Sequence, residues 1–391
     1  MKKRGLRRWI WRGVQATGAL VLVVLVATLV GGWSSFGHRA AGARRARMEK
    51  SSQWQKGHFE NPQPLWNDAW GMLDGMFHVD PNTSPSQPLP TVTGAPPKSP
   101  PATGLRVTWL GHSTLLVEID GYRILTDPMF SARSSPLGWI GPRRWYPPPI
   151  PLEAIGPVDA VLLSHDHYDH LDRATISAMK GWNTIFLAPL GVGAHLAYWG
   201  VPESRIIDVD WWDRVRVRGL EIVCTPARHA SGRQLFDKDA TLWAGYALVG
   251  PKHRAYYSGD TGLFPAMREI GEKLGPFDLT MIEVGQYNRA WPDWHIGPEQ
   301  AVRAHELLRG RVLLPIHWGL LTLAFHGWTE PIERAAVAAK QAGVMILTPR
   351  PGQPVEPDAP PSPERWWPEV PWKSGAEDPI VSTKMDPGGA R

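Results

Sequence analysis

Cysteine is almost missing from this chain: Cys224 is the only one in 391 residues. A single cysteine excludes an intramolecular disulfide and rules out the Cys-rich ligand sets that close structural zinc sites. Inside the apolar run Leu220–Thr225 it reads as a small buried hydrophobe. Acid is scarce at the front of the chain. Residues 1–50 hold eleven Lys or Arg against one acid, a local charge of +10, so the remainder carries −5 against the whole-chain +5. The basic balance thus belongs to the N-terminus, and a polyanion-binding surface on the folded part is not indicated: no nucleic-acid partner is expected. Charge is absent altogether from Val14–Trp33, an apolar stretch of twenty residues. That length spans the hydrocarbon core of a bilayer as a helix.

Lys2, Lys3, Arg4, Arg7, Arg8 and Arg12 precede this stretch, and Arg39, Arg44, Arg45, Arg47 and Lys50 follow it. A cleaved signal peptide shares the basic and apolar regions. The length of the apolar run, and the poor small-x-small sites at Gly32-Trp33-Ser34 and Ala41-Gly42-Ala43, favour an uncleaved single-pass anchor. Flanking charge nearly balances, so orientation is read from the habit of lone N-terminal segments to act as export signals. The expectation is a cytoplasmic N-terminus with an exported domain, which in a bacterium faces the periplasm from the inner membrane.

Proline and glycine are plentiful, 39 of each, and so is tryptophan, with 21. Proline collects at Pro81–Pro101 and again beyond Pro351. The chain divides accordingly into residues 1–35, a basic region and transmembrane anchor; 36–104, a Pro-rich extended spacer; 105–350, a globular domain; and 351–391, a Pro-rich, poorly ordered tail. Within the spacer, Trp66, Trp70, Met72, Met76 and Phe77 recur at roughly helical spacing, which predicts packing on the domain or the membrane rather than a cofactor site.

Strands are predicted at Leu105–Leu110, Thr114–Ile119, Arg123–Thr126, Val158–Leu163, Thr184–Leu187, Ile206–Val209, Val215–Val217, Leu220–Thr225, Leu242–Leu248, Arg254–Ser258, Leu279–Val284, Val312–Pro315 and Val344–Leu347. Helices are predicted at Leu171–Met179, Pro298–Leu308 and Pro331–Ala342. Strands first and helices between them in each half predict an α/β fold, a two-sheet αββα sandwich.

The densest chemistry lies in Ser164-His165-Asp166-His167-Tyr168-Asp169-His170, an HxHxDH pattern directly after a buried strand. No single helix or strand face collects that spacing, but a tight loop at a strand end does. Imidazole and carboxylate are ligands of zinc and its first-row neighbours. His229, Asp260 in Ser258-Gly259-Asp260-Thr261-Gly262, and His317 each follow a predicted strand and form a consistent set of further candidates.

An HxHxDH loop followed by a His, an Asp in a Gly-Asp-Thr-Gly turn and a strand-end His resembles the metallo-β-lactamase superfamily. Trp109–Thr114 (WLGHST), Ile124–Pro128 (ILTDP), Gly141–Arg144 (GPRR), Ser164–Asp172 (SHDHYDHLD), Gly275–Leu279 (GPFDL), His295–Ala301 (HIGPEQA) and Ile316–Gly319 (IHWG) narrow the resemblance to the N-acylphosphatidylethanolamine-hydrolysing phospholipase D branch. It covers about Leu105–Val344, with departures at Arg228-His229-Ala230 and Gln286–Asp293.

The resemblance implies a metallo-β-lactamase αββα sandwich and a zinc-dependent hydrolase with two ions per chain, iron or manganese being the other metals such sites take. It puts His165, His167 and His229 on one ion and Asp169, His170 and His317 on the other, with Asp260 bridging. Asp169 and Asp260 would orient a metal-activated water that attacks phosphorus in line. His112, His295, Arg143 and Arg144 are substrate-side candidates, with the aromatics of Met129–Pro151 and Trp291–Trp294 beside apolar chains. The expected substrate is N-acylphosphatidylethanolamine or a related phospholipid, reached at the membrane by an anchored enzyme. A soluble phosphoester or sugar-phosphate lactone is the alternative within the same chemistry. A non-catalytic, metal-stabilised binding domain is the alternative of another class. Oligomeric state is not legible.

Overall fold

The computed structural model describes residues 2–362 and 364–383. The chain opens with α1 (Lys2–Gly32), 31 residues whose apolar side chains, from Trp9 to Val26, stand exposed. By length and composition this helix is long and apolar enough to cross a membrane. Then come α2 (Gly42–Met48), the two-residue strands β1 (Trp54–Gln55) and β2 (His58–Phe59), and α3 (Ala69–Phe77), capped by Asp68.

The first half of the domain runs β3 (Leu105–Trp109), β4 (Leu115–Ile119), β5 (Tyr122–Thr126), α4 (Leu152–Ile155), β6 (Ala160–Leu162), α5 (Arg173–Met179), β7 (Ile185–Pro189), α6 (Gly193–Tyr198) and β8 (Ile206–Val209). The second runs β9 (Arg214–Val217), β10 (Leu220–Thr225), β11 (Gly245–Val249), β12 (Arg254–Tyr257), α7 (Ala266–Leu274), β13 (Phe277–Glu283), α8 (Pro298–Leu307), β14 (Gly310–Ile316), α9 (Glu330–Ala342), β15 (Met345–Ile346) and β16 (Pro354–Val355). Two seven-stranded sheets result, ordered β16-β3-β4-β5-β6-β7-β8 and β15-β14-β13-β12-β11-β10-β9.

Alternation explains the layering, because successive strand residues face opposite ways. Val117, Ile124 and Leu162 pack into the core shared with the second sheet, while their neighbours Leu116, Leu125, Val161 and Leu163 pack outward with Ile155, Ile176, Met179 and Leu196 of α4–α6. The second sheet is covered by α7–α9. The expected αββα sandwich is therefore the fold.

Differences from the sequence reading have local causes. Helix α5 begins at Arg173, because Asp172 accepts from the Ala174 amide as its cap. The helix α7 was not expected, although Met267, Ile270, Gly271 and Leu274 bury one face at i, i+3, i+4 and i+7. The stretch 36–104 is no free spacer. Arg44 pairs with Glu203 and Asp208, Met48 and Phe59 are buried with Leu190, Leu242 and Trp243, and Asn61 Nδ2 donates to the His229 carbonyl at 2.7 Å. The tail likewise packs on the domain: Trp366 stacks 5.4 Å from Trp318, and both it and Trp367 are buried in the main core.

Strands β5–β8 run parallel to one another, as do β12–β15. Their carboxyl ends, where α/β proteins bind ligands, meet at one edge of the sandwich.

Candidate metal centre

The loop after β6 is held by Asp127, at the end of β5. Its Oδ1 accepts from the Ser164 amide at 2.7 Å; its Oδ2 accepts from Ser164 Oγ, from His170 Nδ1 at 2.6 Å and from Tyr257 Oη at 2.5 Å. Asp172 fixes the far end, accepting from Ser131 and Thr175. Between these anchors the chain turns His165, His167, Asp169 and His170 to one side. Asp166 points the other way, accepting from the Gly232 amide at 2.7 Å and facing His195 at 3.3 Å.

From the second sheet come His229 after β10, Asp260 after β12, and His317 after β14. His112, Asp127, Gln286 and His317 all hold positive φ, between 33° and 66°. That conformation is costly for a non-glycine residue, and its clustering here marks a site whose geometry the surroundings enforce.

Asp260 Oδ2 is the centre of the arrangement. It lies 3.1 Å from both His170 Nε2 and His317 Nε2, 3.8 Å from His229 Nε2 and 3.9 Å from His165 Nε2. His165 Nε2 faces His167 Nδ1 at 2.8 Å, His167 Nδ1 faces His229 Nε2 at 3.3 Å, and His170 Nε2 faces His317 Nε2 at 3.3 Å. Asp169 Oδ2 stands 3.3 Å from His170 Nε2. The outer nitrogens are already engaged. His170 Nδ1–H donates to Asp127 and His229 Nδ1–H to the Trp294 carbonyl at 2.8 Å, while His165 Nδ1 lies 2.9 Å from Ser164 Oγ.

A neutral imidazole that donates outward presents a lone pair inward. Lone pairs of the neutral imidazoles thus converge beside a buried carboxylate, an array that protons on some of its histidines or bound cations hold together. The donors group as His165–His167–His229, as His112–Asp169–His170–His317 and as Asp260–Glu283–His295–His317, with Asp260 Oδ2 within 3.9 Å of histidines of the first two, and suit hard-to-borderline divalent ions.

Electrostatics follow the same division. Burial drives His165 and His229 well below the ordinary imidazole range, so both are neutral, the form that binds a metal. Burial raises Asp260, but the His170 and His317 charges beside it win and hold it well below the usual carboxylate value. For His317 burial lowers the pKa, and Asp260 overrides it to about 10. In the absence of a cation, protons on His170 and His317 balance the carboxylates; a bound ion replaces them.

A groove of about 540 Å³ opens over this centre. His167, Asp169, Asp260 and His295 form its floor, and Met72, Trp291, Trp294 and Leu323 its apolar walls. Not every sequence candidate reaches it. His112 is fully buried behind Asp169, with Nε2 2.9 Å from Asp169 Oδ2, and burial pushes its pKa down to about 3. It therefore holds a ligand candidate and does not touch substrate. Arg144 is buried too, donating to the Tyr146 and Met129 carbonyls, and Arg143 is exposed on the same loop; neither lines the groove. His295 does line it, with Nδ1 2.9 Å from Glu283 Oε2.

Glu283 was missed. It is fully buried at the end of β13, accepts from the Thr261 amide, and lies 3.4 Å from His317 Nδ1; burial raises its pKa. One acid near the end of an otherwise uncharged strand, Leu279–Val284, is its signal. The departure at Arg228 also has an explanation: its guanidinium pairs at 2.9 Å with Asp293, both buried, and donates to the Pro64 carbonyl behind His229.

A two-sheet sandwich whose strand-end loops deliver this His/Asp array into a groove defines a metal-dependent hydrolase. The chain belongs to the metallo-β-lactamase superfamily: the family described as "Beta-lactamase superfamily domain" matches residues 122–318, just over half its length. An uncharacterised protein of Mycobacterium tuberculosis is 46% identical over 336 residues, covering 84% of this chain and 90% of that protein. The N-acyl-phosphatidylethanolamine-hydrolyzing phospholipase D 1 of Caenorhabditis elegans is 38% identical over 229 residues, covering 56% of this chain and 64% of that enzyme. Among solved structures, an isothiocyanate hydrolase from Delia radicum gut bacteria superposes with a TM-score of 0.52 at 22% identity, over 64% of this chain and 98% of that one.

Proposed function

We propose that this protein is a membrane-anchored phosphodiesterase of the phospholipase D type, acting on N-acylphosphatidylethanolamine or a related phospholipid. The observation that carries the reading is the groove itself: an ion-binding floor under a wall of Met72, Trp291, Trp294 and Leu323. That pairing suits an anionic diester whose neighbouring chains are apolar. The likeness to the Caenorhabditis elegans enzyme supports the same substrate class.

His165, His167 and His229 would hold one ion and Asp169, His170 and His317 the other, with Asp260 shared; zinc fits the donors, and iron or manganese would also. When bound, two such ions supply Lewis acidity and an acidified water. Asp169 and Asp260 would offset only part of the charge of two dications, and the positive remainder would favour an anionic diester. Their free oxygens orient the attacking water. Asp260 Oδ1 is buried with no hydrogen-bond partner among the described residues. His295, braced by Glu283, orients the head group from the groove floor. The tryptophans exclude bulk water around the reacting phosphorus.

Anchoring is part of the proposal. α1 would cross the membrane once, with the domain exported. On α3, whose Met72 reaches the groove, Trp70, Met76 and Phe77 stand 81%, 64% and 78% exposed, an apolar face suited to a bilayer surface.

The deciding experiment uses the full chain, purified in detergent without chelators. Metal per chain by mass spectrometry and release of phosphatidic acid from N-acylphosphatidylethanolamine are measured on one sample. About two ions with chelator-sensitive release is the expected result. Two ions without release would move the substrate to another phosphoester or a lactone, and no bound metal would overturn the centre.

A further inference from the structure

Arg233 takes no part in the chemistry above, yet it is only 4% exposed and each of its side-chain hydrogen bonds ends on a backbone carbonyl. Nη1 donates to the Asp166 carbonyl at 2.5 Å and the Leu171 carbonyl at 2.9 Å, the two flanks of the metal loop. Nε and Nη2 donate to the Ser35 carbonyl at 3.0 and 2.8 Å. The guanidinium also lies 4.1 Å over the Tyr168 ring, and Tyr168 Oη donates back to the Arg233 carbonyl at 2.7 Å. One planar fork thus clamps the loop from His165 to His170 against the segment that leaves α1.

A second bridge joins the same two parts. The His38 amide donates to His195 Nδ1 at 3.0 Å, and His195 Nε2 faces Asp166 Oδ2 at 3.3 Å. Trp199 Nε1 donates to the Ser34 carbonyl at 2.6 Å. Gly37 has φ of 76°, and a Cβ there would collide with His195 Nδ1. Only glycine brings the backbone this close.

We propose that residues 33–38 act as a strap that positions the metal loop through Arg233 and His195, so that the metal centre is fully formed only when the strap is seated. The inference rests on reading that loop as the metal site but not on the lipid substrate. Arg233 and His195 are positioning residues. Buried groups that orient ligands in this way carry about 10–100-fold in metal affinity.

The test compares full-length holoprotein with Gly37→Ala, which unseats the strap without touching the loop, and Arg233→Gln, which cuts the clamp. Two quantities are read without any substrate: the rate at which metal passes to a colorimetric chelator, and the melting temperature of the stripped protein. We expect metal loss about 10-fold faster in both variants, with stripped Gly37→Ala melting as the parent does. Parental release rates in both would overturn the proposal. So would fast release from Arg233→Gln alone, which would make Arg233 a brace within the domain and the strap irrelevant. A parent that holds no metal would overturn the strap together with the metal centre, whereas metal retention without lipid turnover would cost only the substrate reading.

Discussion

At the residue scale, the HxHxDH run announces itself because its chemistry is concentrated in seven residues, and the structure places its two aspartates in opposite roles. Asp169 faces the centre; Asp166 faces His195 and Gly232. The motif resemblance assigns Asp169 and leaves Asp166 out, but residue type alone does not separate them, because the difference lies in which way the loop turns between its anchors. Asp127, lodged in the ILTDP motif, supplies one anchor through four hydrogen bonds. Asp127→Asn removes the charge that keeps His170 Nδ1 a donor, and we expect metal affinity to fall about 10–100-fold with the fold retained, as read by chelator competition and circular dichroism. His167→Ala or Asp260→Ala removes a candidate ligand itself. Each should abolish stoichiometric metal and cut turnover by at least about 100-fold, and full turnover in either would refute the dinuclear assignment.

At the scale of elements, helices and strands were legible wherever apolar residues repeat with a clear period, and the αββα order followed from them. What was not legible depends on packing between distant segments. The stretch 36–104 reads as a linker by its proline content, and the helical spacing of Trp66–Phe77 predicts packing on the domain or the membrane, but not that α3 leans on Ala290 and Phe325 and sends Met72 into the groove. Its outer face gives a prediction: Trp70→Ser with Phe77→Ser should leave the melting temperature within the small range of surface substitutions. Hydrolysis of vesicle-bound substrate should fall several-fold, while a short-chain soluble analogue is turned over at the parental rate.

The turns remote from the site give a pH test. Asp120, after β4, accepts from His253 Nδ1 at 2.6 Å and from the Lys252 and His253 amides, joining the two sheets. Partial burial opposes both charges, but their mutual hydrogen bond prevails, lowering Asp120 and raising His253. Asp120 contributes above the ordinary carboxylate value and loses its share as pH falls through its lowered pKa. His253 contributes below the ordinary imidazole value and loses its share as pH rises through its raised one. Both shares are full between about 4 and 6.5. Asp120→Asn should therefore depress the melting temperature most in that window and least near pH 9.

At the scale of the whole molecule, the domain does not end where its proline-rich tail begins. Trp366 packs against both Trp109, on the first strand of the sandwich, and Trp318, beside a metal-ligand candidate, at 6.4 and 5.4 Å. Aromatic packing over so many residues of separation leaves no trace in local pattern, which is why the tail read as disordered. Trp366→Ala should cost about 3 kcal/mol in urea unfolding, the scale of a large-to-small change in a core. The same contact sets an order of events during synthesis. A strand made near residue 105 waits for a tryptophan made near the end before its packing is complete. Synthesis as far as the last helix of the sandwich therefore leaves this aromatic cluster open, and it closes only once the proline-rich tail has left the ribosome and folded back.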